Sequence, residues 1–173
     1  MKYSNEAILL QEVSYNANEG TFFVISTGKQ VIPDINGFCW HYSKLGTENN
    51  KTKTIKIKAN RLACLLGFGK AVRKDQRILH RNLIESDCRL RNLQVIPRKL
   101  YLVIEEARVN LDSKLRLVAH PNDQFSYFLH YRSEGRDKRE LILDIVIAKK
   151  RLNKLQLKYS KILSKYCLFE ELT

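Results

Sequence analysis

The segment from Ile78 to Ile96 constrains the fold of this chain more than any other part of the sequence. His80 and Asn92 stand twelve positions apart in it, and the residues between them are mostly polar, with Asn, Asp and Arg prominent. Apolar residues flank this polar stretch on both sides. Any fold proposed for the chain therefore has to place this His, this Asn and the loop between them.

This segment resembles the core of the HNH (His-Me finger) endonucleases of phages and mobile introns. In that family an acidic or amide residue and the His end a strand, and a loop rich in Asn, Asp and Arg follows. An Asn-Leu pair, here Asn92-Leu93, then opens a second strand, and a helix carries the last metal ligand. The resemblance implies a ββα finger over about 76–109, in which Asp87, Arg89 and Asn92 hold the loop together.

The resemblance covers roughly residues 8 to 105, because the elements expected before the core also match. Turn-forming residues precede strands predicted over 20–25 and 38–42, and the segment 54–58 alternates with period two. A short helix is predicted over 61–68, with one apolar side and a glycine-rich end, closed by Gly67 and Gly69. This helix begins Asn60-Arg61-Leu62-Ala63, with Asn where the family usually has His.

The second half of the chain predicts another small domain. After Pro97, apolar residues at positions 100, 103, 104 and 107 fall on one helix face. Three strand-like runs follow, over 115–119, 125–131 and 139–143, and a long helix comes after them. This order resembles the APETALA-type DNA-binding module. We therefore expect an α+β protein with an HNH-like domain over 1–109 and a three-strand-plus-helix domain over 110–173.

The catalytic site implied by the resemblance lacks its metal ligands. His80 occupies the position of the general base, which accepts a proton from water. The metal positions are Leu79, just before it, and Tyr101, nine residues beyond Asn92. Magnesium requires oxygen ligands, and a neutral phenol is a poor substitute for an amide there. We expect no cofactor, and magnesium or manganese only if the enzyme is active. His80 is then either a relict base or a hydrogen-bond donor that contacts phosphate in a protein that only binds.

A shifted alignment is the alternative, in which Glu85, Asp87 or Glu105 supplies a ligand. The four cysteines form no closely spaced pair, so no zinc site is predicted, and buried free thiols are expected at positions 39, 64, 88 and 167.

The net charge of +13 predicts a polyanionic partner, and nucleic acid is the usual one. Between Leu129 and Lys165 eleven Lys or Arg face only four acidic residues. Four of these basic residues are expected on or beside one hairpin, where a short sheet can lie in the major groove: Arg132, Arg136, Lys138 and Arg139. Lys150 and Lys154 on the following helix are further candidates, although a solvated helix face explains them equally well.

These features favour a nucleic-acid-binding protein derived from an HNH homing endonuclease, catalytically inactive, that acts as a phage or mobile-element regulator or inhibitor. We expect DNA as the partner in preference to RNA. Two alternatives remain: an active metal-dependent nicking endonuclease, and a module that binds a host protein or ribonucleoprotein complex. Without an apolar run typical of a signal peptide or a membrane span, a cytoplasmic location is expected, with no membrane partner and no small-molecule substrate.

Overall fold

The computed structural model describes residues 4–45 and 51–167 and divides the chain after Pro97 into two compact units, 1–97 and 98–173. The described residues form four α-helices and several small antiparallel sheets. The predicted α+β class is therefore confirmed.

The first unit pairs its strands in chain order into three two-stranded antiparallel sheets. Its elements are α1 (Asn5–Glu12), β1 (Val13–Asn16), β2 (Thr21–Val24), β3 (Phe38–Ser43), β4 (Lys53–Lys58), α2 (Ala59–Phe68), β5 (Gln76–His80) and β6 (Leu93–Pro97). The predicted strands and helix of this half are all present. Helix α1 was not predicted from the sequence; its first turn is capped by the Ser4 hydroxyl, which accepts from the Ala7 N–H.

One apolar core holds the first unit together. Strand β3 shows how the sequence produces it, because Cys39, His41 and Ser43 alternate inward while Trp40 and Tyr42 stay exposed. Helix α2 buries the predicted face of Leu62 and Leu65 against the sheets. The core also contains Ile8, Leu9, Val13, Phe22, Ile55, Ala63, Val72 and Leu93.

The two glycines expected to close α2 have different roles. Gly69 ends the helix in the left-handed region, at φ +65°, as predicted. The prediction for Gly67 is wrong, because it lies inside the helix. A Cβ on Gly67 would stand 2.5 Å from the Leu90 side chain, so the glycine leaves room for that leucine. All four cysteines are buried free thiols, as expected.

The second unit contains a three-stranded antiparallel sheet in the order β7–β8–β9. Its elements are α3 (Arg98–Val109), a π-helical turn (Asn110–Lys114), β7 (Arg116–His120), β8 (Asp123–Ser133), β9 (Arg136–Ile142) and α4 (Ile145–Tyr166). The predicted strands and both helices are present. Helix α4 begins at the Asp144 cap and packs Ala148, with the half-buried Leu152 and Leu155, against Leu129 and Ile142 of the sheet.

Two details of the second unit differ from the sequence predictions. Helix α3 groups with this unit, whereas the predicted boundary at 109/110 assigned it to the first. Val103, predicted on the buried face of α3, is 48% exposed, because the buried face centres on Ile104 and Ala107. Asn110, fully buried, joins α3 to β8 by accepting from the Arg132 N–H and donating to its carbonyl.

Candidate nucleic-acid interface and the His80–Asn92 loop

The loop between β5 and β6 is bridged by the side chain of Asn92, which is 3% exposed. Its Oδ1 accepts from the Asn82 N–H at 2.8 Å, and its Nδ2 donates to the Asp87 carbonyl at 2.9 Å. One buried amide thus satisfies a donor and an acceptor that the loop backbone would otherwise leave unpaired. This is the bridging expected of the Asn in the Asn-Leu pair.

Asp87 and Arg89 form the second brace of the loop. The Arg89 guanidinium donates from Nε to Asp87 Oδ1 at 2.8 Å, and Asn82 Nδ2 donates to Oδ2 at 2.7 Å. These hydrogen bonds, led by those from Arg89, lower the pKa of Asp87 to about 2. The carboxylate is therefore ionised and already occupied.

The β1–β2 hairpin holds the loop from outside. The Tyr15 hydroxyl donates to the Cys88 carbonyl, and the Leu90 N–H donates to the Ala17 carbonyl at 2.9 Å. Gly20, at φ +76°, approaches so closely that a Cβ there would lie 2.7 Å from the Arg89 nitrogen. This contact was not predicted, since nothing local in residues 13–24 indicates what the hairpin packs against.

His80 ends β5 opposite Leu93 and is 7% exposed. Its Nε2 has no hydrogen-bond partner among the residues that the structure describes. Burial lowers the pKa of this imidazole below its usual 6.5, and the nearby carboxylates of Glu85 and Asp87 offset part of that effect. The result is a neutral imidazole with one ring nitrogen unsatisfied.

The residues at the two predicted metal positions belong to different units of the chain. The Leu79 side chain is buried and offers no oxygen. Tyr101 lies in α3, within the second unit, and is half-buried. Of the alternative ligands, Asp87 is bound by Arg89, Glu105 pairs with Arg108, and Glu85 is exposed. Within residues 4–45 and 51–167, His, Cys, Asp and Glu side chains form no group of three or more suited to a metal ion.

The outer face of the three-stranded sheet carries a row of two arginines with a histidine between them, which we call the cation row. Strand alternation turns Leu117, Leu129 and Ile142 towards α4. The residues between them along the strands lie on the opposite, outer face. Strand pairing brings Arg116, His130 and Arg139 into one row there, and Val118, Phe128 and Leu141 form an apolar row beside it. Adjacent strands lie about 4.8 Å apart, so the two arginines of the row stand roughly 10 Å apart.

Arg139 lies against Phe128, with the guanidinium carbon 3.3 Å from the ring centroid. This stacking fixes the orientation of the guanidinium. Desolvation, followed by the charges of Arg116 and Arg139, lowers the pKa of His130 below its usual value. His130 is therefore a neutral hydrogen-bonding group between two permanent cations.

The four basic residues predicted on or beside the hairpin lie on two different sides of the sheet. Arg132 and Arg139 belong to the outer face, and Arg132 Nη2 donates to the Gly135 carbonyl at the turn. Arg136 and Lys138 alternate to the other side, where Lys138 lies 3.8 Å from Glu134. All four lie on or beside the hairpin, as expected, but only Arg132 and Arg139 share the outer face, because neighbouring strand residues point to opposite faces.

Two members of the cation row were missed in the sequence. Neither Arg116 nor His130 was among the predicted binding residues. The alternation of Arg116, Val118 and His120 along β7 is visible in the sequence. The sequence of β7 does not show, however, which strand pairs with it and completes the row. Lys150 and Lys154 are exposed on α4, which packs on the inner face, so they point away from the row.

His41 belongs to a polar cluster in the first unit. It lies in β3 and is 5% exposed, and its Nε2 lies 2.5 Å from Glu12 Oε2. Ser43 donates to the other oxygen of the same carboxylate at 3.0 Å. This buried cluster joins the end of α1 to β3.

No family model matches the chain, and neither the curated proteins nor the solved structures contain a significant match. Over the described residues, every helix is too short or too polar to cross a membrane.

Proposed function

We propose that this chain binds duplex nucleic acid through the outer face of the β7–β9 sheet, and that its HNH-like core has lost catalysis. The observation that carries the proposal is the row of Arg116, His130 and Arg139 across three strands. Arginine forks suit phosphate oxygens and guanine edges, and a narrow strand ribbon fits the major groove, which is about 12 Å wide. DNA is the expected partner in preference to RNA, because the RNA major groove is too narrow for such a ribbon.

Loss of catalysis is inferred from the donor set of the first unit. The order β5, loop, β6 and then α3 along the chain agrees with the order that the resemblance implies, and the bridging of the loop by Asn92 supports it. A hydrolytic site of this type needs an oxygen ligand beside the His, and Leu79 supplies none. A protein that keeps such a scaffold and binds nucleic acid without cutting it suits a phage or mobile-element regulator.

Fluorescence anisotropy with labelled duplex DNA tests the binding. We expect an affinity that falls steeply with salt and weakens when Arg116 and Arg139 are both replaced by Gln. Loss of the same affinity in the equal-charge control, Lys150→Gln with Lys154→Gln, would place the contact on α4 instead. No binding at low salt would refute the proposal.

An active nicking endonuclease is the second candidate, and one observation favours it. His80 has an unsatisfied Nε2 and a depressed pKa, so at neutral pH the imidazole is ready to accept a proton. A supercoiled-plasmid assay with magnesium or manganese separates the two candidates. Nicking by the wild type that disappears in His80→Gln would establish the enzyme, whereas intact plasmid in the presence of bound protein supports the regulator.

A further inference from the structure

The exposed face of the β3–β4 hairpin carries three aromatic side chains in one line. Phe38, Trp40 and Tyr42 alternate outward along β3, and Trp40 is 40% and Tyr42 65% exposed. A contiguous row of exposed aromatic rings is unfavourable in water, and such a patch on a protein surface marks a site that binds a ligand or a partner. None of these rings belongs to the cation row or to the His80–Asn92 loop.

Lysines of the neighbouring strand stand beside the rings. Lys58 is paired with Phe38, and Lys56 with Trp40. The Lys56 ammonium lies 4.3 Å from the Phe38 ring centroid and 4.6 Å from that of Trp40, while the Lys58 ammonium lies 5.6 Å from Phe38. The face therefore combines flat apolar surfaces with positive charge.

The indole of Trp40 is held in place by the preceding turn. Its Nε1 donates to Asp34 Oδ2 at 2.9 Å, and the other oxygen of the same carboxylate accepts from the Phe38 and Asn36 N–H groups. A ring fixed in this way loses little conformational freedom when a second flat group stacks on it.

We infer that this aromatic–lysine face binds unpaired nucleotides, with bases stacked on Trp40 and Tyr42 and phosphates held by Lys56 and Lys58. Aromatic rings recognise the faces of bases, and those faces are accessible only where the bases are unpaired. The attraction between an exposed lysine and a ring is weaker than a base stack, so an incoming base can displace Lys56 and leave it beside the phosphates.

The spacing of the rings supports a single strand over a duplex. Alternate residues of a strand lie about 6.6 Å apart, roughly twice the 3.4 Å rise between stacked bases of a duplex. Successive rings therefore suit bases that have been separated from each other. The inference extends the proposed function to a second surface and rests on it only for the class of ligand.

Trp40 is the only tryptophan of the chain, so tryptophan fluorescence, excited at a wavelength that the tyrosines do not absorb, reports on this face alone. Titration with an oligothymidylate or an oligouridylate of about 16 nucleotides should quench it, and the comparison of the two tells DNA from RNA. Inorganic polyphosphate, which has charge but no bases, should leave it nearly unchanged. Oligonucleotide binding seen by anisotropy without quenching beyond that of polyphosphate would overturn the inference.

Substitutions test which groups bind. Tyr42→Leu and Trp40→Leu should each weaken single-strand affinity by roughly fivefold or more, whereas Trp40→Phe, which keeps a ring, should retain most of it. Phe68→Leu, at an exposed aromatic outside this face, is the control and should have no effect. Equal single-strand affinity in Trp40→Leu and wild type, or a change only in self-association, would contradict base stacking.

The charge contribution is tested separately. Replacing Lys56 and Lys58 by Gln should reduce the salt slope of single-strand binding by about 0.7 for each phosphate that is no longer neutralised. The equal-charge control Lys70→Gln with Lys74→Gln should leave the slope unchanged, and the reverse pattern would place the phosphate-binding lysines elsewhere.

Failure of this inference is distinguishable from failure of the proposed function. Quenching that survives Arg116→Gln with Arg139→Gln, in a protein that does not bind duplex DNA, supports the aromatic–lysine face alone. Duplex binding that depends on those arginines, without any quenching of Trp40, overturns this inference and leaves the proposed function in place.

Discussion

Two buried polar residues on one hairpin, Asn92 and His80, contribute to stability in opposite ways. Asn92 forms two hydrogen bonds to the loop backbone, whereas His80 Nε2 has no partner within residues 4–45 and 51–167. A buried polar atom without a partner costs about 1–3 kcal/mol, and so does each backbone group left unpaired when its partner is removed. The same substitution at the two sites should therefore have different results.

Asn92→Leu is expected to lower the free energy of unfolding by about 2–5 kcal/mol, since it leaves two loop backbone groups unpaired. His80→Leu, with a side chain of similar size, should change it by less than about 1 kcal/mol or raise it. Urea denaturation of both variants provides the comparison. A larger loss for His80→Leu would show that the imidazole stabilises the fold through interactions of its own.

Acid should destabilise the protein through two titratable residues of this hairpin, His80 and Asp87. The pKa of His80 in the folded protein lies below its usual 6.5. The unfolded chain therefore binds a proton at this residue more readily than the folded protein does. The free energy of unfolding decreases for that reason as the pH falls below about 6.5. Asp87, with a folded pKa of about 2 against a usual 3.8, gives a second loss as the pH falls from about 4 towards 2. Urea midpoints measured against pH should show His80→Leu flattening the first decline and Asp87→Asn the second. Unchanged profiles would contradict these assignments.

At the scale of elements, the β1–β2 hairpin acts as a clamp on the His80–Asn92 loop. Gly20 makes this possible, because its φ of +76° and its missing Cβ allow it to approach the Cys88–Arg89 backbone. Gly28 provides a matched control, since its φ is +66° and an added Cβ would meet nothing within 4 Å.

Gly28→Ala should cost only the strain of a left-handed residue, about 1–2 kcal/mol. Gly20→Ala carries the same strain plus a clash with backbone that cannot give way, and we expect a further loss of about 1–3 kcal/mol. Thermal or urea unfolding of the two variants measures the difference. Equal losses would show that the clamp contributes nothing beyond backbone conformation.

The elements were more predictable from sequence than the contacts between them. Strand β3 follows from the turn signal before it, β4 from alternation, and α2 and α4 from their apolar periodicity, because these signals are local. The clamp of Gly20 on Arg89 and the pairing of His41 with Glu12 join residues far apart in the chain, and no local pattern encodes them. One of the three members of the cation row was predicted, for the same reason: Arg139 was identified, but Arg116 and His130 join it only through strand pairing.

At the scale of the whole molecule, the excess of positive charge is distributed over distinct surfaces. The cation row lies on the outer face of one sheet, the lysines of α4 point away from it, and the aromatic–lysine face belongs to the other unit. Net charge alone predicts attraction to any polyanion. Matched substitutions that remove equal charge from different surfaces are therefore needed to identify the surface that binds.

The salt dependence of duplex DNA affinity tests binding through the cation row most directly. The logarithm of affinity should fall linearly with the logarithm of salt concentration, with a slope that shrinks by about 0.9 for each phosphate that the protein no longer neutralises. Arg116→Gln with Arg139→Gln should reduce both affinity and slope, whereas Lys150→Gln with Lys154→Gln, of equal charge, should change them little. A slope that disappears with the α4 pair and persists with the sheet pair would contradict binding through the outer face of the sheet.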